Sequence, residues 1–303
     1  MAKNEPHTRN TRPLVFGEVL YDNFPGGEQV LGGAPFNVAW HLQGFGLSPL
    51  LLTRIGSDAA GDAILDRMTA WGMDTAAVQH DAAHPTGIVD ITLHNDQPRF
   101  HIVEAQAYDY IEQELAADVL KKENIGILYH GSLAARSEVS RRTLLWLRRR
   151  IALPAFVDIN LRPPWWQPEE IAELLCDARW LKLNGDELQE ILPGAPDAAG
   201  AAGSLSSRYQ LDGVIVTLGA QGALLLHDRK RYDCAAAPVP HLVDTVGAGD
   251  AFSAVVLLGL SRRWPVVRMM RRAAEFAAAI CGQRGATVFD AGFYTGFIEQ
   301  WED

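Results

Sequence analysis

Residues 244–250, Asp-Thr-Val-Gly-Ala-Gly-Asp, run straight into Ala-Phe-Ser-Ala-Val-Val-Leu-Leu-Gly-Leu, and this junction constrains the fold more than any other stretch. Gly247 and Gly249 let the backbone turn tightly with its N–H groups outward. An apolar helix starts at once, so Gly247, Ala248 and Gly249 sit at the positive end of its dipole. The pattern predicts an anion site. Asp250 lies at its mouth, where a second negative charge needs a reason. A phosphoryl group in transfer supplies one, because the carboxylate can take the proton of the attacking hydroxyl. An Asp capping a helix after a glycine turn explains the same residues without chemistry.

Four other blocks accompany it in order: Gly32-Gly33-Ala-Pro-Phe-Asn37, Asp158-Ile-Asn160-Leu-Arg162, Lys182-Leu-Asn184-Gly-Asp-Glu187 and Val216-Thr217-Leu-Gly219-Ala-Gln-Gly222. With these blocks the chain resembles the ribokinase (PfkB-type) sugar kinase family over residues 14–290. Gly17-Glu-Val-Leu-Tyr-Asp22-Asn-Phe-Pro25 and the Gly-Gly-Ala-Pro form look most like the bacterial fructokinases. The resemblance implies a mostly parallel α/β sheet with helices on both faces and a small β lid over the sugar. It also implies ATP-dependent phosphorylation of a sugar hydroxyl, fructose to fructose 6-phosphate first among the reactions. Ribose, 2-keto-3-deoxygluconate and nucleosides are the rival acceptors, since the phosphate machinery is shared. A non-catalytic sugar-binding relative is the reading from a different class.

The resemblance assigns roles residue by residue. Asp250 is the base, with Gly247, Ala248 and Gly249 as the anion hole. Asp22, Gly32, Gly33, Asn37 and Arg162 contact the sugar or the phosphate in transfer. Asn184, Thr217, Gly219, Gly222 and Thr245 lie along ATP, and Glu187 reaches Mg²⁺ through water. Asp244 and Ala286 mark a monovalent cation, K⁺ in several relatives. The late helix reads Ala273-Ala-Glu-Phe-Ala-Ala-Ala-Ile-Cys281, where the family often has Asn, so the adenine contacts depart from the pattern. Each role has a plainer alternative: Asp22 as a turn residue, Asn37 as a helix cap, Arg162 as a surface ion pair, Asn184 with Glu187 as a capping box, and Gly219 and Gly222 as a hairpin turn. Lys182 either supports phosphate charge or is solvated.

Hydrophobic periodicity agrees with this architecture. Runs 14–20, 50–55, 125–130, 155–160, 180–184 and 213–218 are short and apolar, as strands buried on both faces are. Helical patterns at 60–71, 137–150 and 168–178 alternate with them. Alternation along Asp158, Asn160 and Arg162 predicts three polar residues on one face of a strand end. Residues 195–207 read as a small-residue helix or a mobile connection. Segments 86–93 and 98–104 form a hairpin around a turn at 94–97, and with 21–31 they make either a decorated edge of the main sheet or, as the resemblance implies, the lid of a single domain spanning 14–303. An apolar lid face of Ile88, Ile91 and Phe100 needs a cover, from the chain's own body or from a partner's lid; the resemblance implies the partner, a homodimer through the lid.

Composition excludes other classes. Of 303 residues 21% are charged, with a net charge of −10, which argues against a nucleic-acid surface. No apolar run approaches a membrane span. Residues 1–13 are polar and read as a disordered tail, so a cytoplasmic protein is expected. Cys176, Cys234 and Cys281 lack metal spacing and read as buried thiols of a reducing compartment. A P-loop is absent, and Gly247-x-Gly249 lacks the third glycine of a dinucleotide fingerprint.

Overall fold

The computed structural model describes residues 11–94, 97–151 and 154–302. The chain opens with β1 (Arg12–Phe16), β2 (Leu20–Asn23), β3 (Gln29–Gly32), α1 (Ala34–Gly44), β4 (Leu50–Gly56), α2 (Ala59–Ala70) and β5 (Val78–Asp81). Next come β6 (Gly87–His94), β7 (Gln97–Ile102), α3 (Gln113–Leu120), β8 (Ile125–His130), α4 (Glu138–Ile151), β9 (Ala155–Asp158), α5 (Pro168–Leu175), β10 (Ala178–Asn184) and α6 (Gly185–Ile191). The rest is α7 (Ala198–Tyr209), β11 (Gly213–Thr217), β12 (Ala223–His227), β13 (Lys230–Cys234), α8 (Ala248–Ser261), α9 (Val266–Cys281) and α10 (Ala291–Glu302).

The main sheet runs β13-β12-β11-β10-β9-β8-β1-β4-β5, parallel except for the antiparallel hairpin of β12 and β13. Its strands are buried on both faces. Leu14 and Phe16 of β1 belong to one core, and Val15 between them belongs to the other. α1 and α8 pack together on the second side, and both are apolar nearly all round, with Pro35–Leu42 and Ala251–Gly259 buried. The fold class expected from the sequence is therefore observed. No helix among the described residues is long and apolar enough to cross a membrane.

A second sheet, β3-β2-β6-β7, stands apart from the first. β6 joins β2 in parallel with Leu20 opposite Gly87, while β2–β3 and β6–β7 are antiparallel. The predicted turn at 94–97 includes residues 95 and 96, which lie outside the described residues.

Several sequence expectations need correction. Ile91 is 5% exposed and packs in the core with Val89 and Ile102, whereas Phe100 is 61% exposed. Ile88 lies three residues before Ile91, and period-two alternation puts the two on opposite faces. The predicted tail is also too long. Residues 1–10 lie outside the described residues, but Arg12 and Pro13 belong to β1. There the Arg12 guanidinium bonds the carbonyls of Ser48 and Pro49 and pairs with Asp74 and Glu123. None of the cysteines is buried, because each closes an element: Cys176 caps α5, Cys234 ends β13 and Cys281 ends α9. Residues 198–209 form a helix, capped where Asp197 accepts from the Gly200 amide at 2.7 Å.

Candidate active site

Chain travel across the main sheet reverses at β1: β4 and β5 extend to one side, β8 to β11 to the other. Open α/β sheets bind ligands outside the carboxyl ends of their strands at such a switch point. Most of the residues singled out in the sequence lie along this edge.

α8 starts here. Gly247 caps it at φ 78°, and a Cβ there would stand 2.4 Å from the Ala286 Cβ. Backbone conformation and crowding thus require this glycine. Gly249 differs, since a Cβ there would meet only Lys182 Nζ, at 3.1 Å. The first-turn amides of a helix have no intrahelical acceptor. That of Ala248 turns back to the Thr245 carbonyl at 3.3 Å, which leaves the amides of Gly249 and Asp250 for an anion beside an ammonium group.

Asp250 is partly buried, and Asn37, one turn into α1, donates from Nδ2 to its Oδ2 at 2.8 Å. Burial pushes the Asp250 carboxyl up to about 6, against the Asn37 hydrogen bond; Asp158 adds to the rise, and Lys182 and Arg162 oppose it. Asp22, at the end of β2, is also raised to about 6 by burial, with Arg162 opposing. A Cβ on Gly32 would stand 3.2 Å from Asp22 Oδ2, and one on Gly33 2.7 Å from the Glu18 carbonyl, so both glycines admit close approach. Asp22 and Asp250 are therefore both within electrostatic reach of Arg162, with Asn37 bonded to Asp250 and Gly32 against Asp22.

Behind Asp250 lies a network that the sequence did not reveal. Lys182 is buried and pairs with Asp158 at 2.9 Å, so it is not solvated. Asp158 Oδ2 also accepts from Ser253 Oγ at 2.6 Å and from the Tyr129 hydroxyl at 3.1 Å. Burial pulls the Lys182 ammonium toward deprotonation. Asp158 more than offsets this, helped by Asp250 and Glu187, and the net direction is upward. The expected polar face of Asp158, Asn160 and Arg162 does not form, because β9 ends at Asp158. That side chain turns inward to Lys182, while Arg162 lies exposed beyond the strand.

Asn184, Glu187, Thr217, Gly219 and Gly222 follow or end β10 and β11, whereas Asp244 and Thr245 precede α8 and Ala286 follows α9. Asn184 is paired in register with Thr217. Asn184 and Glu187 form a capping box: Asn184 Oδ1 accepts from the Glu187 amide at 2.9 Å, and Glu187 Oε2 accepts from the Asn184 amide at 2.8 Å. Glu187 Oε1 accepts from the Leu161 amide at 3.1 Å. Burial raises the Glu187 carboxyl, with the Asn184 amide opposing. Gly219 and Gly222 form the tight β11–β12 turn, and a Cβ on Gly222 would lie 2.1 Å from the Cys234 carbonyl. Gly219 has open space above it, which suits a flat ligand lying on backbone. No group of three His, Cys, Asp or Glu able to hold a metal exists among the described residues. This donor set fits a Mg²⁺ carried by phosphates, its waters reaching a single carboxylate. Asp244 accepts from the Val246 and Gly285 amides at 3.0 and 3.4 Å, and the Ala286 carbonyl bonds His41 Nε2 at 3.0 Å. Each of these oxygens keeps a second lone pair, which fits a monovalent cation held by oxygen alone.

Residues 13–290 match the family model of the pfkB family carbohydrate kinases. The chain belongs to that family. A fructokinase of Klebsiella pneumoniae is 29% identical over 294 residues, covering 92% of this chain and 94% of the relative. Among solved structures, a fructokinase of Xylella fastidiosa with bound ATP superposes with a TM-score of 0.86 at 21% identity, covering 98% of this chain and all of that one. An aminoimidazole riboside kinase of Salmonella enterica, complexed with aminoimidazole riboside and an ATP analog, gives 0.81 at 24% identity over 95% of this chain and all of that one. This pfkB-family protein is thus a sugar kinase by descent, and its relatives act on more than one acceptor.

Removing the cation from the buried Asp158–Lys182 pair tests how dry this network is. Lys182→Met is expected to cost about 3–5 kcal/mol in urea unfolding of the ligand-free protein. A loss under about 1 kcal/mol would mean that the pair behaves as a solvated one.

Proposed function

We propose that this sugar kinase transfers the γ-phosphoryl group of ATP to a primary hydroxyl of a neutral ketohexose, fructose to fructose 6-phosphate being the leading reaction. The observation that carries the kinase half is the Asn37-held Asp250 carboxylate beside the open amides of α8. In this reading Asp250 Oδ accepts the proton of the attacking hydroxyl, and Asn37 aims it. The Gly249 and Asp250 amides, with Gly247 and Ala248 shaping the turn, receive charge on the phosphoryl oxygens. Lys182 adds a positive charge behind them. Asn184, Thr217, Gly219, Gly222 and Thr245 line the nucleotide path, supported by the ATP bound to the Xylella relative. Mg²⁺, when bound, neutralises phosphate charge, with Glu187 reaching its waters; Asp244 and the Ala286 carbonyl hold K⁺ beside the turn.

The acceptor half rests on charge. Asp22, Asp250 and Glu18 gather around one arginine, Arg162. Such a pocket suits hydroxyls and repels a carboxylate or phosphate, which disfavours 2-keto-3-deoxygluconate. Ribose and nucleosides remain rivals on charge grounds, and the Salmonella riboside kinase supports keeping them. The fructokinase relative and the Gly17–Pro25 segment favour fructose. The small sheet serves as the lid of one kinase domain, residues 14–303, and a second copy covers Phe100, consistent with a soluble cytoplasmic homodimer.

Four measurements follow from these assignments. Asp250→Asn keeps the shape and removes the acceptor charge, so kcat should fall by roughly 10²–10⁴ with sugar and ATP binding kept. Because the carboxylate must be ionised and sits near 6, wild-type kcat should decline as pH falls through about 6 and hold above it. Retention of most turnover in the variant removes Asp250 from this role. In a sugar panel with coupled ADP detection, fructose should exceed ribose and glucose in kcat/KM by at least about tenfold; preference for ribose would overturn the acceptor and leave the kinase standing. Light scattering should report a dimer that Phe100→Asp dissociates, and a monomeric wild type at working concentration would refute the lid interface.

A further inference from the structure

Glu18 lies two residues past β1, at the switch point itself, and was given no role by the motif that contains it. It is 2% exposed, yet its Oε2 has no hydrogen-bond partner. Glu187 shows what a structural carboxylate looks like here, with an amide on each oxygen. Two more buried polar atoms, on residues that interact electrostatically with Glu18, are also unpartnered: the Tyr108 hydroxyl and Arg136 Nη1. Glu18 interacts electrostatically with Tyr108 and Arg136 on one side and with Arg162 and Asp250 on the other. Arg136 cannot swing to close the gap. Asp109 holds its Nε and Nη2 at 2.8 Å each, and Nη2 also bonds the Val103 carbonyl at 2.6 Å.

Tyr108 is seated by a missing side chain. A Cβ on Gly87 would stand 2.8 Å from its ring, so the glycine at the junction with β2 makes room for the aromatic. The result is an acceptor, Glu18 Oε2, and two donors, the Tyr108 hydroxyl and Arg136 Nη1, that do not satisfy one another. Native proteins keep buried polar atoms unpaired where a ligand supplies the partner, because the cost otherwise has no return.

We propose that Glu18 and Tyr108 are specificity-determining residues of the acceptor site, bonding hydroxyls of the sugar other than the one Asp250 addresses. This rests on the reading above that the acceptor sits against Asp250 and Asp22. Sugar hydroxyls suit the set because each both donates and accepts, and so meets Glu18 Oε2 and the Tyr108 phenol in turn. Burial pushes the Glu18 carboxyl up to about 7, with its own backbone amide, Arg162 and Arg136 opposing and Asp250 adding, so near neutrality it can meet a hydroxyl as acceptor or donor.

The experiment starts with the wild-type sugar panel, which fixes the preferred acceptor whatever it is; failure of the fructose reading shows there and leaves this test intact. Glu18→Met, of similar volume without oxygens, and Tyr108→Phe, lacking only the hydroxyl, are then measured with that acceptor. Acceptor KM, and Kd by calorimetry without ATP, should rise about tenfold or more for Glu18→Met and about fivefold for Tyr108→Phe. The KM for ATP should stay within about twofold, Tm should not fall, and Glu18→Gln should recover part of the loss. Among monodeoxy analogues of the acceptor, one should be penalised by the wild type and not by Glu18→Met. Acceptor KM within about twofold of wild type in both variants overturns the proposal, as does a fall in Tm with equal loss of ATP and acceptor binding. If Glu18→Met fails to fold, Tyr108→Phe decides, and an unchanged acceptor KM there overturns it.

Discussion

One hydrogen bond, from Asn37 Nδ2 to Asp250 Oδ2, joins residues 213 positions apart and sets the geometry on which the site depends. Each partner stands in the first turn or so of a helix that is buried nearly all round. Neither helix can rotate without exposing apolar surface. The bond therefore inherits its rigidity from the packing of α1 against α8. A carboxylate held this way has one oxygen committed and one free, which is what directional proton acceptance requires.

Charge placement follows from the same burial. Removing carboxyls from water raises all three of Glu18, Asp22 and Asp250, and Arg162 partly compensates each. Beneath them the Asp158–Lys182 pair is closed on itself, with Ser253 and Tyr129 filling the remaining acceptor sites of Asp158. The ammonium consequently stays charged although it is buried, and it lies where a Gly249 side chain would otherwise project. The region thus has an acidic half around Arg162 and a half that carries the Lys182 ammonium, meeting at α8.

Much of this was legible in the sequence, because buried parallel strands are apolar throughout and the glycine turns are exposed in the residue order. β13, by contrast, reads Lys-Arg-Tyr-Asp-Cys, an exposed edge with no apolar signal, and its hairpin with β12 went unseen. Glu18 escaped notice because an acid after a strand ordinarily faces water, and only the folded chain buries it, within electrostatic reach of Tyr108 and Arg136. Lys182 was ambiguous for the same reason. Its partner Asp158 is local to another strand, and strand pairing is what brings them together. The lid face was misjudged by grouping residues three apart, which a strand separates onto opposite sides.

The glycines show why motif and mechanism are separable. Gly247 and Gly222 are needed by the fold, since a Cβ at either would collide with Ala286 or Cys234 and each has positive φ. Gly249 carries neither constraint, and its missing side chain instead leaves Lys182 and two amides facing a common space. The same division runs through the acids. Glu187 is satisfied by amides and would be required for α6 even without a metal, whereas Asp250 and Glu18 each keep an oxygen that the fold does not use. Asp250 and Glu18, whose bonding capacity exceeds what the fold consumes, lie within electrostatic reach of one another, which the fold alone does not require.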